Sequence, residues 1–425
     1  MAEATSLWDD LRALPRPAWV LFGGTFINRF GSFVLAFLVF YLTSRGYSAA
    51  TAGLALSAYG IGSMAAALAG GQLADTIGRR NSIALSMFSS AATMLVLYQA
   101  TGIAVIIALT ALAGFTAELY RPASSALIAD LTPEGRRITG FAMYRLAVNA
   151  GVAAGPAVAG FLAQRSFLWL FVGDAVTSFI YGCAAYFALP ADRDRIRAHT
   201  HAGGSFLKIA RDLRLVRVLV ATTVMAIVVH QAYATFPLHL ARAGFTPVVY
   251  GSLMSLNGLL VILLELWVTT LTRRLPALIA LAIGLILNGI GFGALGVART
   301  VGALAFTVVI WTFGEMVYSP VGSAYVADIA PVQWRGRYQA AYGFTNSVGL
   351  MLAPIGGTLL YSVSPPLLWG LCLLVSVAAA GLTAFAWLRE RGAAPDAVAS
   401  TAVTTRTEVP SSAAAFADEP VGPGD

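Results

Sequence analysis

The chain has 425 residues, of which 58% are hydrophobic and only 11% charged, and its mean hydropathy is +0.76. A water-soluble chain of this length would carry roughly a quarter charged residues, so composition excludes an ordinary soluble domain and leaves an integral membrane protein. The net charge of +7 arises from 27 Lys and Arg against 20 acids, but the bases collect in alternate loops, which excludes a nucleic-acid footprint.

Residues 1–17 are polar and carry no cleavable leader, so the first apolar run is expected to remain as an anchor. Twelve apolar runs follow, at 18–43, 49–74, 82–101, 103–130, 138–163, 167–189, 215–241, 247–271, 276–298, 301–328, 337–361 and 366–388. Roughly 20 residues of helix cross a bilayer. Gly and Pro occur freely within the runs and no alternation is sustained, which excludes an outer-membrane barrel. The expected fold is therefore an all-α membrane protein. It divides into a cytoplasmic N-terminus (1–17), a six-helix bundle (18–189), a cytoplasmic central loop (190–214), a second six-helix bundle (215–388) and a tail (389–425). The tail is rich in Ala, Thr, Ser and Pro without periodicity and is expected to be disordered. Cys183 and Cys372 lie inside apolar runs and read as small core residues. His199 and His201 sit in the polar linker without further ligands, so no metal is expected.

Loop charge sets the topology. One set of alternate segments holds twenty bases: Arg12 and Arg16, Arg79 and Arg80, Arg136 and Arg137, seven around the central loop, Arg273 and Arg274, Arg335 and Arg337, and Arg389, Arg391 and Arg406. The other set holds four, Arg45, Arg165, Arg242 and Arg299, so both termini are expected in the cytoplasm. Three bases, Arg29, Arg121 and Arg145, fall within the membrane.

After the second run comes Gly71-x-x-x-Asp75-x-x-Gly78-Arg79-Arg80, a polar hinge between two long apolar stretches. The spacing resembles the loop 2–3 signature of the major facilitator superfamily. That resemblance implies twelve helices in two pseudo-symmetric six-helix bundles, a secondary transporter, and no enzyme. It also implies a conformational latch: Asp75 docked at the start of span 11 near Arg337, and Arg79 paired with Asp130, which ends span 4. In the second half only Arg273 and Arg274 survive of the matching loop, and they are expected to face Asp328.

The halves repeat. Shifting 122–162 by 198 residues aligns Pro122 with Pro320, Ser125 with Ser323, Asp130 with Asp328, Tyr144 with Tyr342, Gly151 with Gly349 and Pro156 with Pro354. A duplicated six-helix unit places a cavity between its copies near the membrane midplane. Span 5 reads Gly151-x-x-x-Gly155-Pro156-x-x-x-Gly160. Glycines four apart admit a neighbouring helix, and the proline kinks its own. This resembles the antiporter motif of span 5, which implies export.

Charges inside the membrane face water or each other, because each costs at least about 2.5 kcal/mol in hydrocarbon. Glu118 and Arg121 lie three apart on one helical face and can pair. Glu315 is mid-span 10, and a carboxyl sheltered from bulk water can take up and release a proton. Glu118 and Glu315 are therefore the expected proton or substrate carboxylates. Asn28, Arg29, Arg145, His230, Gln231, Tyr144 and Tyr342 complete the expected cavity, with Phe26, Phe30, Phe33, Tyr59, Tyr233, Phe236, Trp311 and Tyr318 as aromatic lining. Asp174 and Glu265 rank below these. Few fixed charges among aromatics suit a small amphipathic, bulky molecule.

The expectation is a multi-pass protein of a bacterial inner membrane, acting as a monomer among membrane lipids. It would export a drug or metabolite against protons by alternating access. No Walker motif is present, so the energy source is a proton gradient and no cofactor is needed. A proton-coupled importer of a sugar, peptide or organic acid remains open, as does a transporter-like receptor or scaffold without flux.

Overall fold

The computed structural model describes the backbone of residues 14–132, 137–191, 211–272, 274–331 and 334–404. His199, His201, most of the central loop and Arg273 lie outside the described residues. Among the described residues, twelve helices are long and apolar enough to cross a membrane. They are span 1 (Arg16–Ser44), span 2 (Ala49–Ile77), span 3 (Arg79–Gln99), span 4 (Ile103–Leu131), span 5 (Gly140–Arg165) and span 6 (Leu168–Ala188). The second half supplies span 7 (Leu213–Arg242), span 8 (Pro247–Thr272), span 9 (Ala277–Ala294), span 10 (Val301–Ile329), span 11 (Arg337–Val363) and span 12 (Pro365–Arg389).

Local sequence accounts for the ends. Ser48 and Thr300 accept backbone N–H bonds from Thr51 and Ala303, capping spans 2 and 10. Gly78 turns span 2 into span 3 at φ +85°, a conformation that favours glycine. One segment departs from expectation. The tail expected to be disordered from 389 continues the last helix as far as Thr404, because its alanine-rich composition favours helix.

Three spans are interrupted. Span 1 breaks at Gly31–Ser32 between helices Arg16–Phe30 and Phe33–Ser44. Span 4 breaks at Leu119–Tyr120, and span 7 breaks at His230 and Thr235. In lipid such breaks persist only where side chains or a neighbouring helix satisfy the freed backbone groups.

The two halves meet along two seams, span 2 against span 11 and span 5 against span 8. Each seam carries the same device. Ser57 of span 2 accepts the backbone N–H of Ile355 at 3.1 Å, and Ser255 of span 8 accepts that of Ala157 at 2.9 Å. The two donors directly follow Pro354 and Pro156, which sit inside helices. A proline ring pushes away the carbonyl below it and loosens the ladder locally, so the next N–H can turn outward. Glycines let the backbones close in. A Cβ on Gly60 would lie 2.8 Å from the Leu350 carbonyl carbon, and one on Gly258 would run into Ala153. Ser57 and Ser255, like Ala157 and Ile355, are related by the 198-residue shift, so the pseudo-twofold extends to individual hydrogen bonds.

The bases of the loops define a basic face: the face bearing Arg16, Gly78 and Asp212. Away from it, one apolar cluster joins both halves. There Phe37 of span 1 meets Tyr250 of span 8 at 5.1 Å, Tyr250 meets Phe236 at 5.9 Å, and Phe236 meets Trp311 at 5.4 Å. Toward the basic face the core divides. Leu21, Ile83, Tyr120 and Tyr181 form a cluster of the first half, and Leu215, Leu281, Val326 and Tyr338 one of the second. The apolar core is thus shared at one end and divided between the halves at the other.

Candidate functional site

A cavity of about 230 Å³ lies within the second half. Thr222, Met225, His230, Glu315, Tyr318 and Tyr342 line it. A smaller one of about 80 Å³ adjoins it, bounded by Arg145, Glu265, Glu315 and Ser319. Glu315 belongs to both. Its Oε2 accepts from Asn257 Nδ2 at 3.2 Å, and the same amide reaches Thr312 Oγ1 at 2.9 Å. Among the described residues no cation bonds Glu315. His230 Nδ1 donates to the Ala226 carbonyl at 2.7 Å, which leaves Nε2 as the ring's acceptor.

The first half holds its acid differently. Glu118 accepts from Arg29 at 3.2 Å and from Arg121 at 2.9 Å. Both arginines sit at helix interruptions, Arg29 before the break of span 1 and Arg121 after the break of span 4. The group carries two positive charges against one negative. The expected pairing of Glu118 with Arg121 is present, and Arg29 joins it from 89 residues away. Glu118 and Arg29 are nearly covered, whereas the Arg121 side chain is 55% exposed. The Arg29 guanidinium also stands 5.7 Å from the Tyr120 ring centre.

Other expected site residues divide. Tyr342 lines the larger cavity, while Tyr144 packs half-buried against the first-half cluster. Asn28 turns to Ser178 of span 6, and Gln231 bonds the Ala353 carbonyl and Thr235, so neither joins the cavity. Gln231 is spent on the break in its own span, and Asn28 on the contact of span 1 with span 6. Phe33, Tyr59, Phe236 and Trp311 belong to the apolar core away from the basic face rather than to a cavity lining. Arg145 has a partner that sequence reasoning ranked low: Glu265 of span 8, at 2.6 Å across the seam between the halves. No periodicity connects positions 145 and 265, and only their shared membrane setting hinted at a pair. Asp174 is buried at the break of span 1, where the Val34 N–H donates to it at 3.4 Å.

At the hinge, Arg79 pairs with Asp130 as expected and also donates to the Ala126 carbonyl at 3.2 Å. Arg80 lies over the Tyr186 ring. The expected docking of Asp75 by Arg337 is not among the hydrogen bonds and ion pairs of the Asp75 side chain in the described residues. Asp75 stands exposed on the last turn of span 2. Arg337 is half-buried and Asp328 exposed. Gly70 meets the Leu119 carbonyl and Pro122, whereas Gly71 faces open space. In span 5, Gly151 and Gly155 receive the backbone of span 1 at Phe26 and Phe30, and Gly160 receives Pro247 of span 8.

With this architecture in hand, comparison decides the family. The family model described as Major Facilitator Superfamily matches residues 21–316 and 232–417. The chain belongs to the major facilitator superfamily. It is 27% identical over 364 residues to the MFS-type transporter YqjV of Bacillus subtilis (strain 168), covering 82% of this chain and 87% of that one. It is 25% identical over 369 residues to a Na(+), Li(+), K(+)/H(+) antiporter of Planococcus maritimus, covering 79% and 87%. A crystal structure of peptide transporter POT in complex with sulfate superposes with a TM-score of 0.75 at 18% identity, covering 91% of this chain and 99% of that one. This last likeness speaks to the fold. The protein is a multi-pass membrane transporter of this superfamily, and not an enzyme.

Proposed function

We propose that the protein is a proton-coupled exporter of a small amphipathic molecule, with Glu315 as the carboxylate that proton and substrate share. The observation that carries this reading is the contrast between the two membrane acids. Glu118 is held between two guanidiniums as part of the scaffold. Glu315 lines a cavity with only an amide as hydrogen-bond donor. An acid in such a place is neutralised either by a proton or by a cationic ligand, and exchange of one for the other is antiport. His230, Tyr318 and Tyr342 supply the aromatic and acceptor groups around the ligand. The glycine–proline pattern of span 5 and the likeness to a cation/proton antiporter support the direction. The basic face is the cytoplasmic face of a bacterial inner membrane, and the chain acts as a monomer.

The test is purified protein in proteoliposomes with an imposed pH gradient, screened against lipophilic cations. Native protein is expected to move such a cation in exchange for protons, and Glu315→Gln, which lacks the charge that proton and cation share, to lose both cation binding and proton-driven flux. Full gradient-driven flux by Glu315→Gln would overturn the assignment.

A further inference from the structure

The loops opposite the basic face hold Arg45, Arg165, Arg242 and Arg299, and none of the chain's acids falls in them. Two of these arginines meet. A cleft of about 600 Å³ is lined by Tyr41, Arg45, Tyr98, Gln99, Arg165 and Phe167, where spans 1, 3 and 5 end and span 6 starts. Arg45 is fixed in it. Its Nη1 donates to the Tyr41 hydroxyl at 2.8 Å and to the Ala100 carbonyl at 2.9 Å, and its guanidinium stands 5.6 Å from the Tyr41 ring centre. Tyr41 donates in turn to the Tyr98 carbonyl at 3.0 Å, so spans 1 and 3 brace the same cation. Among the described residues nothing accepts from Arg45 Nη2 or Nε, and Arg165 makes no side-chain hydrogen bond or ion pair. Asp174, the acid closest to Arg165 along the chain, is buried and accepts the Val34 N–H instead. The positive end of the span 6 dipole has the same sign as the two arginines. Like charges lining one cleft repel until an anion joins them.

We propose that this cleft binds the phosphodiester of an anionic lipid in the leaflet opposite the basic face. Arginine presents its donors as a fork that fits two oxygens of one phosphate. Arg45 turns Nη2 and Nε to that use, Arg165 supplies the second charge, and Gln99 and Ser166 of the lining offer bonds to a headgroup hydroxyl. The source is a lipid rather than a soluble phosphate because apolar side chains border the cleft. Leu95 and Val96, about one turn before Gln99 on span 3, are 44% and 51% exposed, and Trp169 on the first turn of span 6 is 52% exposed. An exposed tryptophan at a helix end marks the headgroup level of a bilayer. A phosphate seated there hangs its chains along spans 3 and 6, which pack on each other through Phe88 and Phe179 at 5.4 Å. The bound anion cancels the repulsion between the ends of spans 1 and 5. The 198-residue shift carries Arg45 onto Ala243 and Arg165 onto Val363, so the second half does not repeat the pair.

Native mass spectrometry of the full delipidated chain, titrated with dioleoylphosphatidylglycerol in detergent, tests the site and needs no flux. The native chain is expected to hold one such lipid about tenfold more tightly than Arg45→Gln/Arg165→Gln. Arg242→Gln/Arg299→Gln removes the same charge from the same face and is expected to stay within about twofold of the native chain. Equal weakening in both double variants means that the general field of the face holds the lipid, and no weakening in the first means that the lipid sits elsewhere; either result overturns the site. Arg165→Gln alone breaks no contact of the fold and is expected to weaken binding about threefold, so the test survives if loss of the Arg45 brace unfolds the chain. Unchanged affinity in that single variant also overturns the site. Glycerophosphoglycerol, the same headgroup without acyl chains, forms the last arm. It is expected not to displace the lipid even in large excess, and displacement as effective as that by the lipid itself overturns the lipid as the source.

Discussion

At the scale of residues, the two glutamates answer different questions. Glu118 sits between Arg29 and Arg121, and removing it leaves two arginines facing each other. Breaking a buried ion pair costs about 3–5 kcal/mol, and the exposure of Arg121 places this case at the lower end. Glu118→Gln is therefore expected to lower the melting temperature in detergent, whereas Glu315→Gln leaves it nearly unchanged and affects cation binding and flux alone. Equal melting temperatures for the two variants would remove the distinction. A second residue-scale prediction concerns packing. Gly258→Val drives a branched side chain into Ala153 of span 5, and loss of folded yield is expected in size-exclusion chromatography, while the same change at Gly71, which faces open space, is tolerated. Sequence spacing gave the Glu118–Arg121 pair, because three residues on a helix share a face. It did not give Arg29 or the Arg145–Glu265 pair, because contacts between distant spans leave no local period. Asp75 had motif spacing in its favour, yet spacing along one chain does not say what a distant span brings against it.

At the scale of elements, the seams show what the span 5 pattern does. Pro156 and Pro354 each present the following N–H to a serine on the other half. Hydrogen bonds between membrane helices average about 0.6 kcal/mol, so losing both amounts to roughly 1.2 kcal/mol, or about an eightfold shift in a two-state equilibrium. The double variant Ser57→Ala/Ser255→Ala is expected to part the halves away from the basic face more often. Spin labels placed on that face would report a larger fraction of long distances. Unchanged distance distributions would show that the aromatic contacts around Tyr250 suffice. The twelve runs and their ends were legible from hydropathy to within a few residues. The breaks in spans 1, 4 and 7 were not, because only tertiary partners such as Asp174 and Gln231 stabilise them. The serine clamp was readable in principle, since Gly-x-x-x-Ser-x-x-Gly occurs at 53–60 and again at 251–258, but a serine in an apolar run attracts no notice until its acceptor role is seen.

At the scale of the whole molecule, the halves share one core at one end and keep separate cores at the other. The duplicated sequence already implied two related bundles, and charge asymmetry marked one face as basic. Which end was joined depended on the aromatic column of Phe37, Tyr250, Phe236 and Trp311, drawn from four spans. Both described ends of the chain, near Arg16 and Thr404, belong to the basic side. A reporter fused after residue 425 that fluoresces only in the cytoplasm is expected to be bright, and one active only outside the inner membrane silent. The reverse result would invert the assignment of faces and, with it, the direction of transport.

The clamps draw one partner from a side chain and the other from the main chain. An amide hydrogen is supplied by every residue except proline, so positions 157 and 355 are free to change identity while the contact survives. A saturation scan would register spans 5 and 11 as permissive there, with proline as the lone intolerant substitution. The same scan would flag only Ser57 and Ser255, as if each stood alone. Half of each clamp is thus invisible to any method that listens to side chains.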